Sequence, residues 1–130
     1  MFVDASALVA IIAGEQEQDR LGTLLRDEPA PLWSAMSCWE AISGLRSSYG
    51  WSVAAARREV EMAAARFALK LVAVGERERA AALDAYERFG RGSGHRAKLN
   101  MGDCFAYACA KANGAKLLYK GTDFVHTDLA

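Results

Sequence analysis

Histidine and cysteine are scarce in this chain. Two histidines (His95, His126) and three cysteines (Cys38, Cys104, Cys109) stand without a CxxC or any other ligand spacing, so a zinc site is not indicated. An odd number of cysteines also argues against a disulfide-stapled domain. Cys104 and Cys109 fall in an apolar helical stretch, where cysteine serves as a small core residue. No apolar run approaches the roughly 18 residues of a membrane span. No basic segment leads an apolar one at the start of the chain, so no signal peptide is read, and the expected location is the cytoplasm. The nucleotide-cradling pattern GxxxxGK[ST] is missing, which argues against a nucleoside triphosphatase. The first acidic motif reads DAS rather than DxD, which argues against an aspartyl-phosphate phosphatase.

What is present is an ordinary globular composition. Of 130 residues, 52% are hydrophobic and 25% charged, enough for one domain with one core over residues 1–130. The formal net charge is zero, but the signs are segregated. Residues 1–30 carry six acids and two bases, whereas residues 88–120 carry seven bases and one acid, Asp103. A basic stretch in a neutral protein can attract a polyanion locally, although charge alone is equally met by a solvated loop and helix face.

Strand and helix signals alternate along the chain. Phe2-Val3 is a short strand, and SALVAIIAG a helix stopped by Gly14. EQEQDRLGTLLR places Leu21, Leu24 and Leu25 on one helical face. The DEPAP break holds both prolines and leads into PLWSAM, a second strand. Ser37 is placed to cap the next helix, with Glu40 three residues on in the capping-box position. A helix capped by Ser52 follows, then LKLVAV as a third strand, a helix over 76–89, and the glycine-rich basic loop GRGSGHRAKLN. MGDCFAYACAKANG reads as a helix stopped at Gly114, AKLLYKG as a fourth strand, and TDFVHTDLA as a tail. Such alternation predicts an α/β fold with a mostly parallel sheet covered by helices. Tyr86 and Phe89, three apart on a helix, read as core, and Trp39 as packed on a neighbouring helix.

In open parallel sheets, ligands bind outside the carboxyl ends of the strands. Asp4 directly follows the first strand. Glu40 lies in the first turn of the helix after the second, Asp103 in the first turn of the helix after the basic loop, and Asp123 just past the fourth strand. Four carboxylates far apart in sequence are thereby predicted at one edge. Each has a structural alternative: a helix cap for Asp4, a capping box for Glu40, the helix dipole for Asp103 and a turn for Asp123. Convergence would raise some of their pKa values or require a cation. A cluster of oxygen donors suits Mg²⁺, with Mn²⁺ as the alternative, and such sites support phosphodiester cleavage. The basic stretch would then hold a nucleic-acid backbone, with Arg91, Arg96 and Lys98 (beside His95) as candidate RNA contacts.

Taken in order, FVDASALVAI, CWEAISGL, LNMGDCFAYACAK and LLYKGTDFVHTDL resemble the PIN-domain family, and within it the VapC-type toxin ribonucleases. The resemblance spans essentially the whole chain. It implies a three-layer α/β/α sandwich and an Mg²⁺-dependent endoribonuclease that leaves 5′-phosphate and 3′-hydroxyl ends. Asp4, Glu40, Asp103 and Asp123 match the family's metal-holding acids. Ser6 and Thr122 match supporting polar positions, and Asp128, in a terminal T-D segment, is expected to add a water-mediated or outer contact, with an exposed tail acid as its alternative. Thr122 departs from the Asn or Asp of many relatives. A homodimer, inhibited by a VapB-type antitoxin, is the implied assembly. The alternative reading is a non-catalytic protein that keeps the scaffold to bind RNA or an antitoxin. A weaker third is a metal-dependent phosphatase acting on small substrates.

Overall fold

The computed structural model describes all 130 residues. Four two-residue strands form one wholly parallel sheet: β1 (Phe2–Val3), β2 (Leu32–Trp33), β3 (Lys70–Leu71) and β4 (Leu117–Leu118), in the spatial order β3-β2-β1-β4. Six helices connect them: α1 (Ala5–Ala13), α2 (Gln18–Asp27), α3 (Ala35–Tyr49), α4 (Val53–Arg66), α5 (Glu76–Phe89) and α6 (Met101–Ala112). The register pairs Phe2 with both Leu32 and Leu117, and Val3 with Leu118. LKLVAV yields only Lys70–Leu71 as strand, and both residues are exposed at the sheet edge.

Alternation within each strand builds two cores, because neighbouring strand residues point to opposite faces. Val3 and Leu118 pack with Leu8, Leu21, Leu25, Leu45, Val60 and Phe67 beneath α1 to α4. Phe2 and Leu117 pack with Phe89, Leu99, Tyr107, Cys109 and Phe124 beneath α5, α6 and the tail. The result is the expected three-layer α/β/α arrangement. Cys104 and Cys109 are buried in the second core, as apolar residues would be.

Most helix ends follow the sequence signals. Gly14 ends α1 in the left-handed region at φ 72° and returns its N–H to Ala10 O, a conformation glycine adopts without steric cost. The start of α3 differs from expectation. Ser34, not Ser37, is its N-cap: Ser34 Oγ accepts from Ser37 N at 3.2 Å, and Ser37 Oγ accepts from Ser34 N at 3.3 Å. Ser37 therefore closes the capping box one helical turn early, and Glu40 is released from any capping role. Two aromatics also depart from expectation. Trp39 is 76% exposed and Tyr86 54% exposed, while Phe89 is buried. Both exposed rings lie on outward helix faces where no further layer covers them.

The strand order reverses at β1. The chain moves outward from β1 to β2 to β3, then crosses back to lay β4 on the other side. Loops leave β1 in opposite directions at that point and open a crevice over its carboxyl end. Replacing Ser34 by alanine should lower the unfolding free energy by about 1 kcal/mol, read from the urea midpoint at constant slope. Glu40→Gln should show no such loss.

Candidate active site

The crevice over β1 is a cleft of about 280 Å³ lined by Asp4, Ser6, Glu15, Glu40, Gly44, Asp103, Lys120 and Asp123, with Ala5 and Val9 at its floor. All four acids that the sequence placed at one edge are therefore in one cavity. Their routes into it differ. Asp4 is the N-cap of α1 and is nearly fully buried. Its Oδ2 accepts from Ser6 N at 3.0 Å and from Ser6 Oγ at 2.5 Å, which leaves Oδ1 uncommitted to Ser6. Asp103 is the third residue of α6 and shares a capping box with Asn100: Asp103 Oδ2 accepts from Asn100 N at 3.0 Å, and Asn100 Oδ1 accepts from Asp103 N at 2.8 Å. The structural alternatives for these two acids are thus real and coexist with convergence. Capping fixes each carboxylate through one oxygen at the cleft wall.

Glu40 reaches the cleft from the side of α3. Its carboxylate rests against Gly102, in the first turn of α6, where an added Cβ would fall 1.8 Å from Oε2 and 2.5 Å from Oε1. Glycine is required there by close approach, not by backbone conformation. The glycine in LNMGDC thus has a purpose that the sequence alone did not disclose. Asp123 is exposed and follows β4.

Electrostatics report the convergence independently of the cavity. Burial pushes the Glu40 carboxyl up to about 7, helped by the charges of Asp4 and Asp103. Burial likewise raises Asp103 to about 6, with Asp123 and Asp4 adding to the effect, while the Asn100 hydrogen bond and the Arg91 charge oppose it. Asp4 is raised by burial above all, against its Ser6 hydrogen bonds, with a contribution from Asp123. Asp4, Glu40 and Asp103 each feel at least one other acid of the cleft.

The supporting residues divide. Ser6 lines the cleft and also accepts the Lys120 backbone N–H through Oγ at 3.0 Å. Thr122 lies outside the lining and opens the terminal turn, its carbonyl accepting from Val125 N at 3.3 Å. Asp128 is directed elsewhere: it accepts from Tyr107 OH at 2.8 Å and pairs with Lys111 Nζ at 2.5 Å, which pins the tail to α6. Asp103, Tyr107 and Lys111 are successive i+4 positions, so Asp128 sits along the same stripe but at the far turns of the helix. Arg91 stands close enough to Asp103 to affect its titration, whereas Arg96 and Lys98 are exposed on the basic loop. Two cleft residues were not singled out from sequence, Glu15 and Lys120. They pair across 105 positions, and no local pattern signals such a pair.

With this geometry in hand, relatives are informative. A family model described as "PIN domain" matches residues 1–129. The chain belongs to the PIN-domain family. It is 41% identical over 130 residues to a protein named Ribonuclease VapC from Mycolicibacterium smegmatis, covering 100% of this chain and 98% of that one. It is 39% identical over 130 residues to Ribonuclease VapC30 of Mycobacterium tuberculosis, covering 100% and 96%. Among solved structures, its fold is similar to that of Mycobacterium tuberculosis VapC20, described as a sarcin-ricin loop cleaving toxin, with a TM-score of 0.71 at 20% identity, covering 95% of this chain and 92% of that one. A toxin–antitoxin complex from Klebsiella pneumoniae gives a TM-score of 0.70 at 16% identity, covering 98% and 92%. At these identities the two structures attest the fold. Within the family, the chain falls among the proteins named VapC ribonucleases.

The PIN family implies a divalent metal, and the donors here fit one. Carboxylate oxygens are hard ligands, and three of the four acids are held at raised pKa by burial and mutual repulsion, a condition that a cation relieves. The acids are not drawn into a finished coordination set of three or more side chains. Hard oxygen donors of this kind suit Mg²⁺, which keeps several waters and takes one or two carboxylates directly. Glu40 and Asp103 hold protons in the folded state at pH values where the unfolded chain has released them. Metal-free stability should therefore fall as pH rises from 5 to 7.5, a window that contains their raised values of about 6 and about 7. Urea midpoints in EDTA check this, and Glu40→Gln should flatten the decline.

Proposed function

We propose that this protein is an Mg²⁺-dependent endoribonuclease toxin, with Mn²⁺ able to replace Mg²⁺, neutralised by a VapB-type antitoxin. The observation that carries this reading is the meeting of Asp4, Glu40, Asp103 and Asp123 in one cleft, in a chain whose full-length relatives are named ribonucleases. Asp4 and Asp103 would hold the metal from the two helix N-termini, with Glu40 and Asp123 completing the donors. A cation bound there supplies charge that eases deprotonation of water and stabilises the departing oxygen. The protein's own part is to orient the acids through the Ser6 and Asn100 hydrogen bonds and to keep Glu40 against Gly102. Glu40, the one acid of α3 in the cleft and free of any capping role, is placed to accept a proton released from the attacking water. Neither histidine lines the cleft, and no serine–histidine pair is needed.

Partner binding is supported by exposed apolar surface. Trp39 and Met101 (76% and 69% exposed) flank Glu40, and Val53 and Met62 are exposed on α4. Apolar faces of this kind are what an antitoxin segment or a second copy of the chain would cover. The resemblance to VapC toxins supports both partners, and the basic loop with Arg91, Arg96 and Lys98 supports RNA as substrate.

Purified, antitoxin-free protein should cut total RNA into discrete products with Mg²⁺ or Mn²⁺ and not with EDTA. Asp4→Ala and Asp103→Ala should reduce the rate on the order of 10²-fold or more while retaining the fold. Unchanged cleavage in both variants would assign the activity to a contaminant. Gly102→Ala should cost on the order of 10²-fold by displacing the Glu40 carboxylate. The same change should not lower stability, since alanine favours a helix over glycine. Loss of activity without loss of stability is the signature to look for.

A further inference from the structure

Lys120 is the one basic side chain among the ten residues lining the cleft, against five carboxylates. Its backbone is fixed to the catalytic scaffold, because its N–H donates to Ser6 Oγ at 3.0 Å and that hydroxyl donates to Asp4 Oδ2. Its ammonium pairs with Glu15 Oε1 at 2.8 Å, and Glu15 accepts a second hydrogen bond from Tyr49 OH through Oε2. Glu15 lies just past the end of α1, and Tyr49 is the last residue of α3. Three elements therefore meet around one ammonium at the cleft wall. The pair is partly solvent-exposed, with side chains 36% and 20% accessible, so it is weakly held and open to exchange.

A phosphodiester entering this cleft meets a wall of negative charge. The metal offsets part of it, and the protein offers one further cation inside the lining. An ammonium carries three donors. Glu15 engages it on one side, and the remaining N–H groups are available to a non-bridging phosphate oxygen. We propose that Lys120 holds a backbone phosphate of the substrate in the cleft, and that Glu15, braced by Tyr49, parks the ammonium there and competes with that phosphate for it. The assignment rests on the nuclease reading for its substrate class and adds a binding residue to that site.

The two residues have opposite expected effects, which separates this role from a merely structural ion pair. Binding of a fluorescein-labelled single-stranded RNA of mixed sequence is measured by anisotropy, in Ca²⁺ and across a range of KCl concentrations. Lys120→Met should weaken binding roughly tenfold, the loss of one charge-assisted contact. It should also reduce the slope of log K against log salt by about 0.7, the value for one phosphate contact on a single strand. Lys120→Arg should restore most of both. Glu15→Gln should tighten binding a few-fold, because the ammonium is no longer neutralised and one repelling charge is gone. Equal affinity and slope for wild type and Lys120→Met, no RNA binding by either, or weakening by Glu15→Gln as severe as by Lys120→Met would overturn the assignment. Cleavage of total RNA in Mg²⁺ is run alongside. Lys120-dependent binding without any wild-type cleavage would refute the nuclease reading and leave the phosphate contact standing.

Discussion

One hydroxyl joins the beginning of this chain to its end. Ser6 Oγ donates to Asp4 Oδ2 and accepts from the Lys120 amide, 114 residues away. Asp4 N in turn donates to Leu118 O at 2.9 Å. These bonds fix the loop after β1 against the loop after β4 across the strand reversal. Without them the buried Asp4 carboxylate would lose its hydroxyl donor and keep the Ser6 backbone N–H, a costly reduction for a buried charged group. The crevice, the placement of Asp123 and the seat of Lys120 all depend on this junction.

The same edge accumulates charge that the fold alone would disfavour. Buried Asp4 and the raised Glu40 and Asp103 lower stability at neutral pH in exchange for a strong local field. The structure contains the strain with devices that serve two purposes. Asp4 and Asp103 cap helices and satisfy backbone N–H groups that would otherwise lack partners, while presenting oxygens to the cleft. Glu40 has no such second role: its position is set by the missing side chain of Gly102. Its carboxyl, pushed up by burial and by the charges of Asp4 and Asp103, is the one of these three free of a capping bond.

Much of this was legible in the amino-acid order. Alternating strand and helix signals gave the parallel sheet, and Asp4, Glu40, Asp103 and Asp123 were placed at its edge by the rule that strand ends and the starts of the following helices share one side. Local pattern misplaced the start of α3, because Ser34 and Ser37 are both competent caps and only the end of β2 decides between them. It missed Gly102, whose requirement comes from a side chain 62 positions earlier in the chain. It missed the Glu15–Lys120 pair for the same reason. It drew Asp128 towards the metal because of its place in a terminal motif, whereas Tyr107 and Lys111 hold it along α6. What was hidden is in each case a contact between distant segments, set by packing and invisible to periodicity.

The distribution of cations argues for a division of labour. Lys120 stands inside the cleft and Arg91 beside Asp103, while Arg96 and Lys98 project from the loop between α5 and α6. Phosphate contacts of this sort position a backbone but read no sequence. The cleft lining itself offers no aromatic side chain on which a base could stack. On the nuclease reading, discrimination between RNA targets would arise outside the lining, from the spacing of the outer cations and the exposed surface around Trp39 and Met101. The chemistry would depend on acids fixed at one edge by capping and close packing, whereas the surface that would select a target consists of exposed side chains that can vary without disturbing the Ser6 junction.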